Sequence, residues 1–152
     1  MKYPIGIQDF EKIIEDGYVY VDKTELVYKL ANEGHIYFLS RPRRFGKSLL
    51  ISTLKYYFQG RKDLFRGLAI DKLETKWAEY PVFHLSFGSA NFTKHGTLDE
   101  VIDNYLADFE NDYPTNTKPR DFGIRFASIL KAAHKKTGRR AVVLIDEYDK
   151  PL

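Results

Sequence analysis

Apolar residues recur along this chain with two periods, one helical and one of short unbroken runs. In residues 7–16, IQDFEKIIED, Ile7, Phe10, Ile13 and Ile14 stand at helical spacing, and Gly17 follows as a C-terminal stop. Asp22 and Glu25 read as a capping box ahead of Leu26, Val27 and Leu30, with Gly34 closing that helix. HIYFLS (35–40) is a continuous apolar run between Gly34 and Pro42, the pattern of a strand covered on both faces. A loop at 41–46 leads into a predicted helix from Lys47 to Phe58, with Leu50, Ile51, Leu54 and Phe58 on one side. DLFRGLAI suggests a short helical turn.

The second half repeats the alternation. PVFHLSF (81–87) predicts a strand, with Pro81 tolerated at its start. Thr97 and Glu100 suggest a capping box for a helix striped by Leu98, Ile102, Tyr105 and Phe109. NDYPTNTKPRD (111–121) is polar with two prolines and predicts a surface loop. A helix from about Asp121 to Thr137 ends at Gly138, and AVVLID (141–146) is a third apolar run. Helices alternating with short, wholly apolar strands predict an α/β fold with a parallel sheet.

Composition narrows the class. The 152 residues suit one compact domain, and 43% hydrophobic with 30% charged residues is an ordinary globular mix. A net charge of +3 does not by itself argue for a nucleic-acid protein. The lack of cysteine removes disulfides, thiolate metal sites and a cysteine nucleophile. No stretch approaches the ~20 apolar residues of a membrane span. Nor does the start, Met1-Lys2-Tyr3-Pro4, look like a signal peptide, and the chain reads as soluble and cytoplasmic.

The loop RPRRFGKS carries the candidate chemistry. A loop between a strand and a helix start can hold phosphates, because free backbone N–H groups and the helix dipole point at the anion. Gly46 lets the backbone approach, Lys47 can reach the β and γ phosphates, and Ser48 can offer its hydroxyl to Mg²⁺. The usual pattern has glycine at the position of Arg41. Pro42 fixes its own φ and biases Arg41 toward an extended backbone, so a proline-set loop can replace a glycine-set one. In VVLIDEYD, four apolar residues precede Asp146 and Glu147. Asp146 suits a carboxylate that holds Mg²⁺ at a strand end, and Glu147 a base for the attacking water.

These motifs resemble the bacterial AAA-ATPase-like family of P-loop NTPase domains, often found ahead of a PD-(D/E)XK nuclease-type domain. The resemblance spans nearly the whole chain: YPIGIQDF, YVYVDKTELV, YFLSRPRRFGKSLLISTLKYYF, LFRGLAI, YPVFHLSF and VVLIDEYDKPL. It implies a three-layer α/β/α fold with a parallel sheet, a helical lead-in over 1–34 and a nucleotide-binding core over 35–152. ATP and Mg²⁺ are the implied ligands. The nucleotide would lie along Arg43, Arg44, Phe45, Gly46, Lys47, Ser48 and Leu49, with Ser48 and Asp146 on the metal. Lys47 and Glu147 would be catalytic, Glu147 as the base. The segment Tyr20-Val21-Asp22-Lys23-Thr24 matches a family motif, with contact near the adenine as one reading. In this class a later strand lies between the loop strand and the Asp-Glu strand and carries a γ-phosphate sensor. The sequence ends at Leu152, so the chain is expected to be an N-terminal portion that needs more sequence for hydrolysis.

Two rivals stay open. Arg41, Arg43, Arg44, Lys47, Lys55, Arg61 and Lys62, interleaved with aromatics, could bind a nucleic-acid backbone. A non-catalytic domain could hold nucleotide as a structural ligand. A nuclease built on Asp146, Glu147 and Asp149 is weaker, because consecutive acids on a strand end point in different directions. His35, His84, His95 and His134 lack metal-ligand spacing. If Pro42 sets the loop, Arg41→Gly leaves nucleotide affinity nearly unchanged in a titration, and a large change contradicts that idea.

Overall fold

The structure, a computed structural model, describes residues 1–42, 44–93, 95–116 and 121–151. The chain divides into two compact units, Met1–Glu79 and Tyr80–Leu152.

The first unit begins with helix α1 (Phe10–Glu15). Asp9 caps it, its carboxylate accepting the Lys12 N–H, and Gly17, at φ 66°, turns the chain away. Helix α2 (Thr24–Glu33) starts after Lys23, not with the expected Asp22–Glu25 box. Asp22 is used otherwise. One carboxylate oxygen accepts the N–H and the hydroxyl of Thr24 at 2.9 and 2.7 Å, and the other accepts the Ala69 N–H at 2.7 Å. Thr24, fully buried, accepts the Ile70 N–H at 3.1 Å. A two-residue clip thus ties the start of α2 to the short 3₁₀ turn Ala69–Lys72. Burial pushes the Asp22 carboxyl up, but the hydrogen bonds from Thr24 and Ala69 outweigh it and leave the group below its ordinary value.

Helix α3 has the predicted bounds, Lys47–Phe58. Its buried face is not the expected aliphatic stripe. Ser52, Thr53, Tyr56 and Tyr57 are buried, while Leu50, Leu54 and Phe58 pack at the margin of the core. The polar side chains are matched. Ser52 Oγ accepts the buried N–H of Phe10 at 2.9 Å, Tyr20 is hydrogen-bonded to Thr53, and the Tyr56 hydroxyl donates toward Asp9 and Glu11. Tyr57 donates to Glu74 at 2.6 Å. Around them Phe10, Val27, Leu64, Phe65 and Ile70 close the core, with Trp77 against the Phe65 ring.

HIYFLS is a correction. The expected loop strand at 35–40 has no regular structure, and Ile36, Tyr37, Phe38 and Leu39 are 94, 54, 72 and 37% exposed. A strand exists only by pairing, and among the described residues the first unit contains no other strand. Apolar composition alone therefore does not make the segment a strand.

The second unit holds the sheet. Strands β1 (Val82–Ser86) and β2 (Val142–Asp146) pair in parallel, Val82 beside Val142 and Ser86 beside Asp146. Helices α4 (Thr97–Asp112) and α5 (Phe122–Thr137) bring Leu106, Ile129 and Ala133 onto Phe83. Gly96 occupies the cap position of α4, so Thr97 with Glu100 is not the box expected. Leu106 is the buried centre of the α4 stripe, and Leu98 is exposed. Gly138 ends α5 as predicted, and Asp121 caps its start. Arg125 joins the two helices through Asp103 and Glu110. β2 is not covered on both faces as its sequence suggests, since Val143 and Ile145 are exposed. Of the expected surface loop, 111–112 belong to α4 and 117–120 lie outside the described residues.

Thr24→Val keeps the shape of the clip but leaves the Ile70 N–H without its acceptor. Urea unfolding followed through Trp77, the chain's one tryptophan and a reporter for the first unit, should show a loss of about 1–3 kcal/mol. The carboxyl of Asp22 sits below its ordinary value, so its contribution is present above about pH 4 and fades as pH falls further. Losing the Thr24 hydroxyl bond makes that acid limb shallower; an unchanged limb and midpoint contradict the clip.

Candidate functional site

The first half of the site is the turn into α3. Arg41, Pro42, Arg44, Phe45 and Gly46 are exposed, and Lys47, Ser48 and Leu49 are half-buried at the helix start. Arg43 lies outside the described residues. Arg44 and Gly46 both adopt the left-handed region, at φ 66° and 75°. Glycine tolerates this freely, whereas for Arg44 it costs about 1–2 kcal/mol. A methyl built on Gly46 would meet nothing within 4 Å, so the residue is demanded by backbone angle and not by space. The first bond across the helix start runs from Leu50 N–H to Gly46 O at 3.0 Å. By helix geometry the N–H groups of Lys47, Ser48 and Leu49 are left pointing out of the helix end. Among the described residues no side-chain cap closes this end. Such an end carries roughly half a positive charge and suits an anion.

The second half is the C-terminal end of the sheet. Asp146 closes β2 and is 9% exposed; its Oδ1 accepts the Glu147 N–H at 2.9 Å. The other carboxylate oxygen retains its acceptor capacity. Glu147 sits at φ 53°, the left-handed region again, and its carbonyl accepts the Lys150 N–H in the turn that follows. Beside them the end of β1 is pinned by α4. Tyr105 Oη accepts the Ser86 N–H at 3.0 Å and donates to the Ser86 carbonyl at 2.9 Å. The Glu147 carboxylate lies against Gly88, just past β1.

The predicted residues therefore fall into two sets, each built inside its own unit. Arg44 to Leu49 form a contiguous anion-facing turn, and Asp146 with Glu147 form a carboxylate pair at a strand end. The hard oxygens of Ser48 and Asp146 are donors that Mg²⁺ accepts. Among the described residues no cluster of three or more His, Asp or Glu could hold a metal unaided. A shallow hollow lined by Phe92, Thr93, His95, Gly96, Leu98 and Pro151 lies in the second unit, and neither Asp146 nor Glu147 lines it.

The Tyr20–Thr24 motif gains a function as structure. Asp22 and Thr24 hold the Ala69–Ile70 turn, and Tyr20 meets Thr53 on the inner face of α3. The carboxylate and hydroxyl are spent inside the protein, which argues against the adenine contact. The basic cluster also shrinks. Arg61 bonds Glu11 at 2.7 Å and Asp63 at 2.9 Å, with Glu15 at 3.9 Å. Sequence reading missed Ser52, Gly88 and Tyr105. A serine in the middle of an apolar helix was a usable signal for the first, and Tyr105 was read only as part of the apolar stripe of its helix.

The family model described as "Predicted AAA-ATPase" matches residues 4–152, and the chain belongs to that AAA-ATPase-like family. It is 43% identical over 152 residues to an uncharacterized protein in the vnfD 5′ region of Azotobacter chroococcum mcd 1. That match covers 99% of this chain and 30% of the relative, so the chain spans under a third of the relative's length. No solved structure matches the chain. Among the described residues no helix is long and apolar enough to cross a membrane.

Proposed function

We propose that this chain is the ATP-binding part of a Mg²⁺-dependent P-loop ATPase of the AAA-like kind, acting in the cytoplasm. One observation carries the reading: the α3 start leaves the Lys47–Leu49 amides uncapped behind a loop curled by two left-handed residues. In this reading the loop amides and Lys47 hold the β and γ phosphates, and Arg44 and Arg43 add positive charge. Phe45, 63% exposed, covers the nucleotide from the loop side. Ser48 and Asp146 hold Mg²⁺, which supplies charge neutralisation on the phosphates when bound. Glu147 accepts the proton of the attacking water.

The fold class we infer is the three-layer P-loop type, in which HIYFLS becomes a strand once a neighbour pairs with it. Hydrolysis then requires sequence beyond Leu152, and in a longer protein the partner would be a nuclease-type domain. The nucleic-acid reading is weaker, because Arg61 is already neutralised by acidic neighbours.

Titration with ATP and Mg²⁺ tests the proposal. Removing the charge-assisted bonds of Lys47 costs about 1.5–3 kcal/mol, so Lys47→Ala should weaken ATP about 10- to 100-fold. Omitting Mg²⁺ should weaken it too. Equal affinity in wild type and Lys47→Ala overturns the reading. Nucleic-acid binding that falls steeply with salt and survives Lys47→Ala would put the basic-cluster reading in its place.

A further inference from the structure

Glu147 is held in an unusual way. Its backbone is left-handed at φ 53°, which for a side-chain-bearing residue costs energy and persists only where the surroundings impose it. The surroundings here are the β2 end, where the Glu147 N–H is anchored on Asp146 Oδ1, and the turn closed by Lys150 N–H to Glu147 O. This backbone sends the side chain across the sheet end toward the segment after β1. There the carboxylate rests on Gly88. A methyl group placed on Gly88 would overlap Glu147 Oε2 and stand 2.6 Å from Cδ, far inside any real carbon contact.

Gly88 itself is exposed and does not lie in the left-handed region, so its backbone does not require glycine. What would meet the methyl is the far end of one flexible side chain, with Glu147 Oε1 as the third atom at 3.2 Å. The position next to β1 is also firm, since Tyr105 clamps both backbone groups of Ser86 two residues earlier.

We infer that Gly88 is a positioning residue: its bare Cα is the seat that fixes the Glu147 carboxylate at the mouth of the sheet. This inference rests on the proposed role of Glu147 as the base for water. The seat and the left-handed turn act together. The turn aims the side chain, and the missing Cβ lets it come down onto the β1 side. Alanine at 88 displaces the carboxylate and leaves the fold, the loop amides and Asp146 as they are.

The test has two readouts. In thermal unfolding, Gly88→Ala, Glu147→Ala and the double variant form a cycle. With the carboxylate gone, alanine at an unstrained exposed glycine should raise the melting temperature by about 1–3 °C through the unfolded chain. In the wild-type background the same change should give no rise or a fall, because the carboxylate must move. Equal shifts in both backgrounds overturn the seat. In ATP turnover by the longer protein that continues beyond Leu152, Gly88→Ala should lower kcat about tenfold with KM unchanged. A kcat equal to wild type overturns the positioning role. If Glu147→Gln also turns over ATP at the wild-type rate, the base assignment fails, while the melting cycle still decides whether Gly88 seats the carboxylate.

Discussion

The N–H of Phe10 opens helix α1 inside the core, where an unmet donor costs about 1–3 kcal/mol, and the Ser52 hydroxyl of α3 meets it. That bond and its neighbours decide how α3 is mounted. Tyr20 reaches Thr53, Asp9 and Glu11 take the Tyr56 hydroxyl, and Glu74 takes Tyr57. All of these grip the middle and far end of the helix. The first turn carries none of them, and among the described residues no side-chain cap covers the amide donors of Lys47, Ser48 and Leu49. A helix can offer its start to an anion only if something else holds it, and the lead-in 1–34, together with Glu74, does so.

Burial raises the Tyr56 phenol well above its ordinary value, and the charges of Asp9 and Glu11 add to this. The hydroxyl therefore remains protonated, and a donor to Asp9 and Glu11, as pH rises through the ordinary range. Arg61 is likewise raised by its bonds to Asp63 and Glu11. The N-terminal helices thus act as a polar brace as well as an apolar lid.

Much of this was legible in the sequence, and the exceptions share a cause. The bounds of α3, the strands at 82–86 and 142–146 and the Gly138 stop of α5 depend on local pattern, and local pattern found them. HIYFLS failed because a strand is completed by its neighbour, not by its own residues. The Asp22 box failed because Ala69, far along the chain, competes for the same carboxylate. The α3 stripe failed because hydroxyls of Ser52 and Thr53 were needed inside for α1 and Tyr20. Of the site, residue types and order were readable. Neither the left-handed turns at Arg44 and Glu147 nor the Gly88 seat was, since these are backbone facts that arise at element ends.

If the open start of α3 is the phosphate site, its amides must stay aimed by the left-handed turn at Gly46. Mg²⁺·ATP affinity of Gly46→Ala measures this directly: a side chain at φ 75° disfavours the turn, so binding should weaken about tenfold. An affinity equal to wild type would contradict the account.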